Sequence, residues 1–425
     1  VAPARLVTRD TLIVSIDEGL ASHLFIFDPQ NGQLLRLTSG EWRDIHPALS
    51  PDGSRLAFAS NRSGVWDLYL LDLTSGETLR LTDTPEYDAS PSWSPDGLWL
   101  AYESYVAKAD AGDLEIFIRP LDGSQDPIRL TDDPAADHSP DWSPQGRRIA
   151  FISTRTGNAE VWIADLDVVD DRYVNVSRST DANETHPAWA PDGDRLAWAS
   201  SGADGVQSLM IWNQSTPELR PEAVNSGAWP AWSTDGQALL TPVLTPNRTY
   251  LTGYSLQGDG LTLPLRALPG GVNGAVSGAI RLADPLPGEL AVASGAEPTP
   301  LWIPLQQATA ALPGGRVSVV PLAGMDGDGY LLHDGVDDSF YALRARTAEL
   351  AGWDFLSTLE GAFIPLTAPP SPGMGEDWLY TGRAFRFNTA PANAGWLALV
   401  REDYGAQTYW RVYIRARFQD GMQGA

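Results

Sequence analysis

The 425-residue chain has no cysteine, which excludes disulfides, thiolate metal sites and cysteine nucleophiles together. Cations are scarce as well: 29 Lys and Arg stand against 54 Asp and Glu, a formal charge of −25. A nucleic-acid groove needs clustered Lys and Arg to meet phosphates, so no nucleic-acid partner is expected. No run of about 18 apolar residues occurs, and no transmembrane segment is expected. The chain opens Val-Ala-Pro-Ala-Arg without an initiator methionine, which reads as a processed or trimmed product, a removed signal peptide being one origin.

The usual catalytic signatures are missing too. A serine hydrolase would show a Gly-x-Ser-x-Gly elbow, and none is found. The five histidines, at 23, 46, 138, 186 and 333, form no His-Glu-x-x-His pair for zinc. No glycine-rich phosphate loop follows a strand and opens a helix. No enzyme activity and no firm cofactor are therefore expected.

What the chain does have is proline, glycine, tryptophan and a repeat. With 33 Pro, 40 Gly, 16 Trp and 43% hydrophobic residues, it has the texture of an all-β protein with many turns and a large core. HPAWAPDGDRLAWAS (His186 to Ser200) has relatives at HPALSPDGSRLAFAS, SPSWSPDGLWLAYES, SPDWSPQGRRIAFIS and WPAWSTDGQALL, and their glycines (53, 97, 146, 193, 236) are 43 to 49 residues apart. A period in the forties signals a propeller or solenoid. Each unit reads as four strands: one ending at Pro-Asp-Gly, an alternating one such as RLAFAS, a third such as DLYLLD and a fourth such as TLRLT. Four antiparallel strands make one blade. Pro-Asp-Gly turns the chain tightly, and Trp93, Trp142, Trp189 and Trp232, with Leu49 at the same place, are expected to wedge neighbouring blades apart.

Upstream, LIVSID, LFIFD and LLRLT supply three strands of a first blade; its missing strand is expected from AIRLA (279–283) or ELAVAS (289–294), closing the ring. Six blades over residues 1–295 are expected, or seven if 296–330 add another. Residues 296–330 otherwise read as an extended connector with a strand such as RVSVVPL. Residues 331–425 read as a small α+β domain, with helices at DDSFYALRARTAELAG and WDFLSTLEGAF and then strands, the last two being the hairpin WLALVRE and TYWRVYIRA.

The motif of Pro, Trp, Ser-Pro-Asp-Gly, Ile/Leu-Ala-Phe and a later Ser-x-Arg-x-Gly resembles the TolB-like, WD40-like (PD40-repeat) six-bladed β-propeller family over about two thirds of the chain. The resemblance implies an extracytoplasmic module, periplasmic or extracellular, for protein recognition or scaffolding in a bacterial envelope. Its partner would be another protein or a cell-wall component, within a larger complex. Propellers of similar sequence also stand before prolyl-oligopeptidase-type hydrolases. The alternative is therefore an accessory domain of a hydrolase, or a polysaccharide lyase acting in the funnel with histidine and a divalent metal. TolB itself carries a small α/β domain ahead of its propeller, and this propeller begins almost at once; a family member other than TolB is expected.

One constellation lies outside the architectural motif. Two residues before each x-Pro stand Asp44, Asp88, Asp137 and Glu184, with Gly227 breaking the series. As symmetry mates, these carboxylates with His46, His186, Ser90, Ser139 and Trp229 are expected at one axial funnel mouth, holding a cation such as calcium or a basic peptide. The bland alternative is that each acid caps its own loop through backbone N–H groups. Arg62 with Asp67, and Arg155 with Glu160, are expected as exposed ion pairs worth at most about 1 kcal/mol each.

Overall fold

Each Asp-Gly turn reverses the chain because the aspartate organises it and the glycine supplies a left-handed step. At the first, Asp52 Oδ1 accepts the Ser54 N–H at 3.1 Å and the Ser50 hydroxyl at 2.7 Å. Gly53 has φ +72°, and a Cβ there would lie 2.0 Å from the Ala279 carbonyl oxygen. The turns join strands that alternate inward and outward, and four such strands form each sheet.

The computed structural model of the chain describes residues 5–18, 21–29, 32–107, 112–202, 207–244, 249–258, 261–296, 319–327, 329–363, 365, 382, 385–388, 390, 397–404 and 407–414. It divides into two compact units, Val1–Thr299 with Tyr404–Gln407, and Pro300–Asp403 with Thr408–Ala425.

The first unit is a propeller of six four-stranded antiparallel blades. Blades 2 to 6 open with the strands Asp44–Leu49, Asp88–Trp93, Asp137–Trp142, Asn183–Trp189 and Ala231–Trp232. Blade 1 takes its first strand from the far end of the propeller sequence: Val272–Asp284 pairs with Arg5–Glu18, with Leu12 opposite Ser277 and Arg5 opposite Asp284. The AIRLA segment is thus the closing strand, whereas ELAVAS is a helix, α1 (Gly288–Ser294). Closure by a strand from the other end leaves neither terminal blade incomplete, which hides edges that would otherwise invite pairing.

Between blades, each tryptophan wedge lies on small residues of the preceding blade. Trp93 packs with Ala57, Trp189 with Ala150 and Trp232 with Ala197, and the indole N–H of Trp93 and Trp232 donates to the Ala48 and Ala188 carbonyls at 2.9 Å. An arginine straps two of these joints. Arg195 donates to the Gly236 carbonyl at 2.8 Å and lies 4.8 Å from the centroid of Trp232; Arg55 repeats this with Gly97 and Trp93. Arg195 also pairs with Asp192 at 2.5 Å, and a partly exposed hydrogen bond, a cation–π contact and a partly exposed ion pair together amount to about 1–3 kcal/mol. Arg195→Ala is therefore expected to lower stability by that amount in urea denaturation, with no loss of far-ultraviolet β signal.

In the second unit, Val319–Pro321 pairs with Leu331–His333, and α2 (Asp337–Ala351) ends at Gly352 with φ +64°. Gly352 stops the helix in the manner of a left-handed C-cap. The helix expected from Trp353 does not form. Phe355, Leu356 and Leu359 are buried, but the segment turns and then enters the strand Leu359–Gly361. Asp354 is held back against α2 by Arg344 at 2.7 Å, and Ser357, Thr358 and Gly361 are weak helix formers. The expected strand WLY at 378–380 lies outside the described residues. Leu397–Tyr404 and Gln407–Ile414 form the final two-stranded sheet.

Candidate functional site

The first strands of the blades surround an axial channel of about 570 Å³. Its lining begins with His46, Ser90, Ser139, His186 and Trp229, each followed by proline, and runs along those strands to Pro51, Pro95, Pro144 and Pro191 of the turns. The first four of these residues share a backbone oddity: φ is 51°, 51°, 52° and 53°. In each strand the pairing register slips at that point, for example between Ile45 and Ala48, so two residues oppose one and the chain bulges. Glycine would adopt this conformation without steric cost. The repeat instead places two imidazoles and two hydroxyls there, facing the channel.

These side chains are linked around the mouth. The His46 Nδ1 and Ser90 Oγ are 2.9 Å apart. His186 Nδ1 lies 3.1 Å from the Ala228 carbonyl oxygen, to which it donates, and its ring stacks on Trp229 with centroids 3.3 Å apart. Burial, reinforced by the nearby His46, pushes His186 down to about 3, and burial also lowers His46. His186 is thus neutral at physiological pH, with Nδ1 protonated and Nε2 left as an acceptor.

Behind the mouth sits a carboxylate that the repeat does not announce. Glu103 occupies a position filled by Ala59, Ile152 and Ala199 in blades 2, 4 and 5. It is 4% exposed and accepts the Ser139 N–H at 2.7 Å. Burial and this carboxylate raise the Tyr87 hydroxyl well above its ordinary range. The signal for Glu103 lay in the sequence, as the Glu in Leu-Ala-Tyr-Glu-Ser where relatives carry an apolar residue.

The four acids expected in the funnel are elsewhere. Asp44, Asp88, Asp137 and Glu184 are 0–3% exposed and line no part of the channel. They sit within their own blades, where Asp44 and Asp137 pair with Arg62 and Arg155 at 2.9 and 2.7 Å. Asp88 accepts the Thr84 hydroxyl at 3.0 Å, and the Ser200 hydroxyl lies 3.3 Å from Glu184. They are therefore neither a shared cation site nor simple caps of backbone N–H groups. His46 and His186 do line the channel, without those carboxylates. Among the described residues no three His, Cys, Asp or Glu side chains group so as to hold a metal ion.

The arginine pairings also differ from expectation. Arg62 and Arg155 reach the first strand rather than Asp67 and Glu160, and they are largely covered, with 18% and 14% of the side chain exposed. Asp67 instead takes Arg80 at 2.7 Å, and Glu160 takes Asn175 at 2.8 Å and the Thr156 hydroxyl.

Fold and site together define a six-bladed propeller with a polar mouth on a proline-walled channel. The model of the TolB beta propeller domain matches residues 14–107 and 105–259, more than half of the chain, and the chain belongs to this family. Among solved structures it is similar to TolB from Acinetobacter baumannii, at 20% identity and a TM-score of 0.55, covering 63% of this chain and 66% of that one. It is also similar to a chain of a nidogen/laminin complex (11% identity, TM-score 0.50, 63% and 98% covered) and to one of Kuenenia stuttgartiensis hydrazine synthase (12%, 0.50, 65% and 47%). No curated protein matches. At these identities the structural likenesses speak to the fold alone.

Proposed function

We propose that the chain is a non-catalytic recognition module of the bacterial envelope, periplasmic or extracellular. It binds another protein or a cell-wall component at the channel mouth and contributes the second unit to a larger assembly. The observation that carries this reading is the four left-handed non-glycine residues at equivalent places, all facing one opening. Backbone strain of this kind costs about 1–3 kcal/mol per residue and gathers at functional sites. A ring of neutral imidazoles, hydroxyls and an indole offers hydrogen bonds and a stacking face to a ligand, which is the chemistry of recognition. A lyase reading would use His46 and His186 as metal ligands, and the four acids that would have completed such a site are turned into the blades.

The test uses the immobilised full chain against an envelope extract of the native host, with bound species identified by mass spectrometry. A His186→Ala/Trp229→Ala pair is expected to weaken capture of the bound species by at least about thirtyfold, the effect of removing an aromatic anchor worth about 2 kcal/mol. Capture unchanged by the pair, or turnover of peptides or pectic sugars by the chain, would overturn the reading.

A further inference from the structure

Two residues inward from the mouth, blades 2 to 6 carry Ala48, Ser92, Asp141, Ala188 and Ala231, all in the channel lining. Four small side chains leave space beside a single carboxyl. That carboxyl is aimed by its neighbours: Asp141 accepts the Ser92 hydroxyl at 3.0 Å from blade 3 and the Trp189 N–H at 2.6 Å from blade 5. Its orientation is thus fixed across three blades before any ligand arrives.

The channel provides no countercharge. Among the described residues its lining contains no lysine, arginine or second carboxylate, and its other titratable groups are His46 and His186. Both are shifted toward the neutral form by burial. The remaining wall is mostly proline, tryptophan, alanine and serine, with Leu49, Thr234, Val276 and two glycines. Burial pushes the Asp141 carboxyl up to about 7, against the two donated hydrogen bonds. A carboxyl held in such walls strongly favours any cation that can reach it, because the medium screens charge weakly.

The kind of cation follows from the surroundings. Calcium wants six to eight oxygens, carboxylates and carbonyls foremost, and here one carboxyl is accompanied only by neutral hydroxyls such as that of Ser92. An alkylammonium or guanidinium wants one carboxylate for its head and apolar wall for its stem. We propose that the channel receives a lysine or arginine side chain of the partner, its charged end paired with Asp141 and its methylenes along the prolines. This inference rests on the mouth being the recognition surface and names the group that enters it.

The experiment follows the Asp141 carboxyl by carbon NMR in the full chain, assigned with Asp141→Asn, while n-butylammonium is added. 1-Butanol and calcium are added separately as controls. The apparent pKa of the carboxyl is expected to fall by at least about 1 pH unit on saturation, equivalent to a tenfold preference for the charged form. Butanol and calcium are expected to leave it in place. Asp141→Ala, with the residue that three other blades use here, is expected to bind n-butylammonium at least about tenfold more weakly while keeping the wild-type circular dichroism spectrum. An unmoved carboxyl, an equal response to butanol, a larger response to calcium, or undiminished binding by Asp141→Ala would each overturn the proposal. Loss of the ammonium response while His186 and Trp229 still govern capture would remove Asp141 alone and leave the mouth reading standing.

Discussion

Arg62→Ala is expected to destabilise the propeller by about 3–5 kcal/mol, the cost of leaving a buried carboxylate without its cation. Asp44 is fully buried, and its Oδ1 takes Arg62 Nη2 at 2.9 Å. The same guanidinium donates from Nε to Ser60 Oγ at 3.0 Å and lies 4.7 Å from the Tyr69 ring centroid and 5.3 Å from that of Phe58. Lysine can supply charge but neither the planar stacking nor the second directed bond, so Arg62→Lys should recover less than half of the loss. Arg62→Ala combined with Asp44→Asn should recover more, since the buried charge disappears with its partner. Arg155 has the same relation to Asp137, with Trp162 and Tyr173 as the faces. The two losses should add, because the residues share no neighbour. Urea-denaturation midpoints for the single and paired variants measure all of this, and a loss under about 1 kcal/mol for each arginine would mean that the pairs act as exposed ones.

The displacement of these acids from the funnel shows what a linear sequence conceals. Asp44 and His46 are two apart, and in a regular strand they would share a face. The left-handed residue at 46 breaks that rule: the register runs Asp44 to Ser60 and Ile45 to Ala59, then Ala48 to Ala57. His46 consequently faces the channel while Asp44 turns into the blade. Nothing in His-Pro or Ser-Pro announces the sign of φ. The architecture was legible because it is written five times: the alternating strand recurs in every copy, and the tryptophan and the Asp-Gly turn each recur in four, with Leu49 and Gln145-Gly146 as the exceptions. Asp141 was visible in that repeat, as the odd residue directly after x-Pro where Ala and Ser stand in the other copies, but a reading that looks for what recurs passes over the one blade that differs. The second unit has no repeat to average over, and there the periodicity at Trp353 misread a buried turn as a helix.

Blade 5 lacks the arginine of blades 2 and 4, and this sets up a pH dependence. Among the described residues no ion pair reaches Glu184, which is 3% exposed; burial raises its carboxyl from 4.5 to about 7, the nearby Glu160 adding to the rise. Between those values the folded chain holds a proton there that the unfolded chain has released. Stability from this group is therefore complete below about pH 4.5 and is lost as pH rises to about 7, a change of about 3 kcal/mol. Asp141 contributes with the same sign, from 3.8 to about 7. His186 contributes with the opposite sign, because the unfolded chain protonates it below 6.5 while the fold keeps it neutral down to about 3. The informative quantity is thus the difference between wild type and Glu184→Gln rather than either curve alone. Glutamine keeps the shape and cannot ionise, so Glu184→Gln is expected to match wild type near pH 4.5 and exceed it by about 3 kcal/mol at pH 8. Denaturation midpoints at the two pH values check this, and parallel curves for the two proteins would show that Glu184 is already ionised inside the blade.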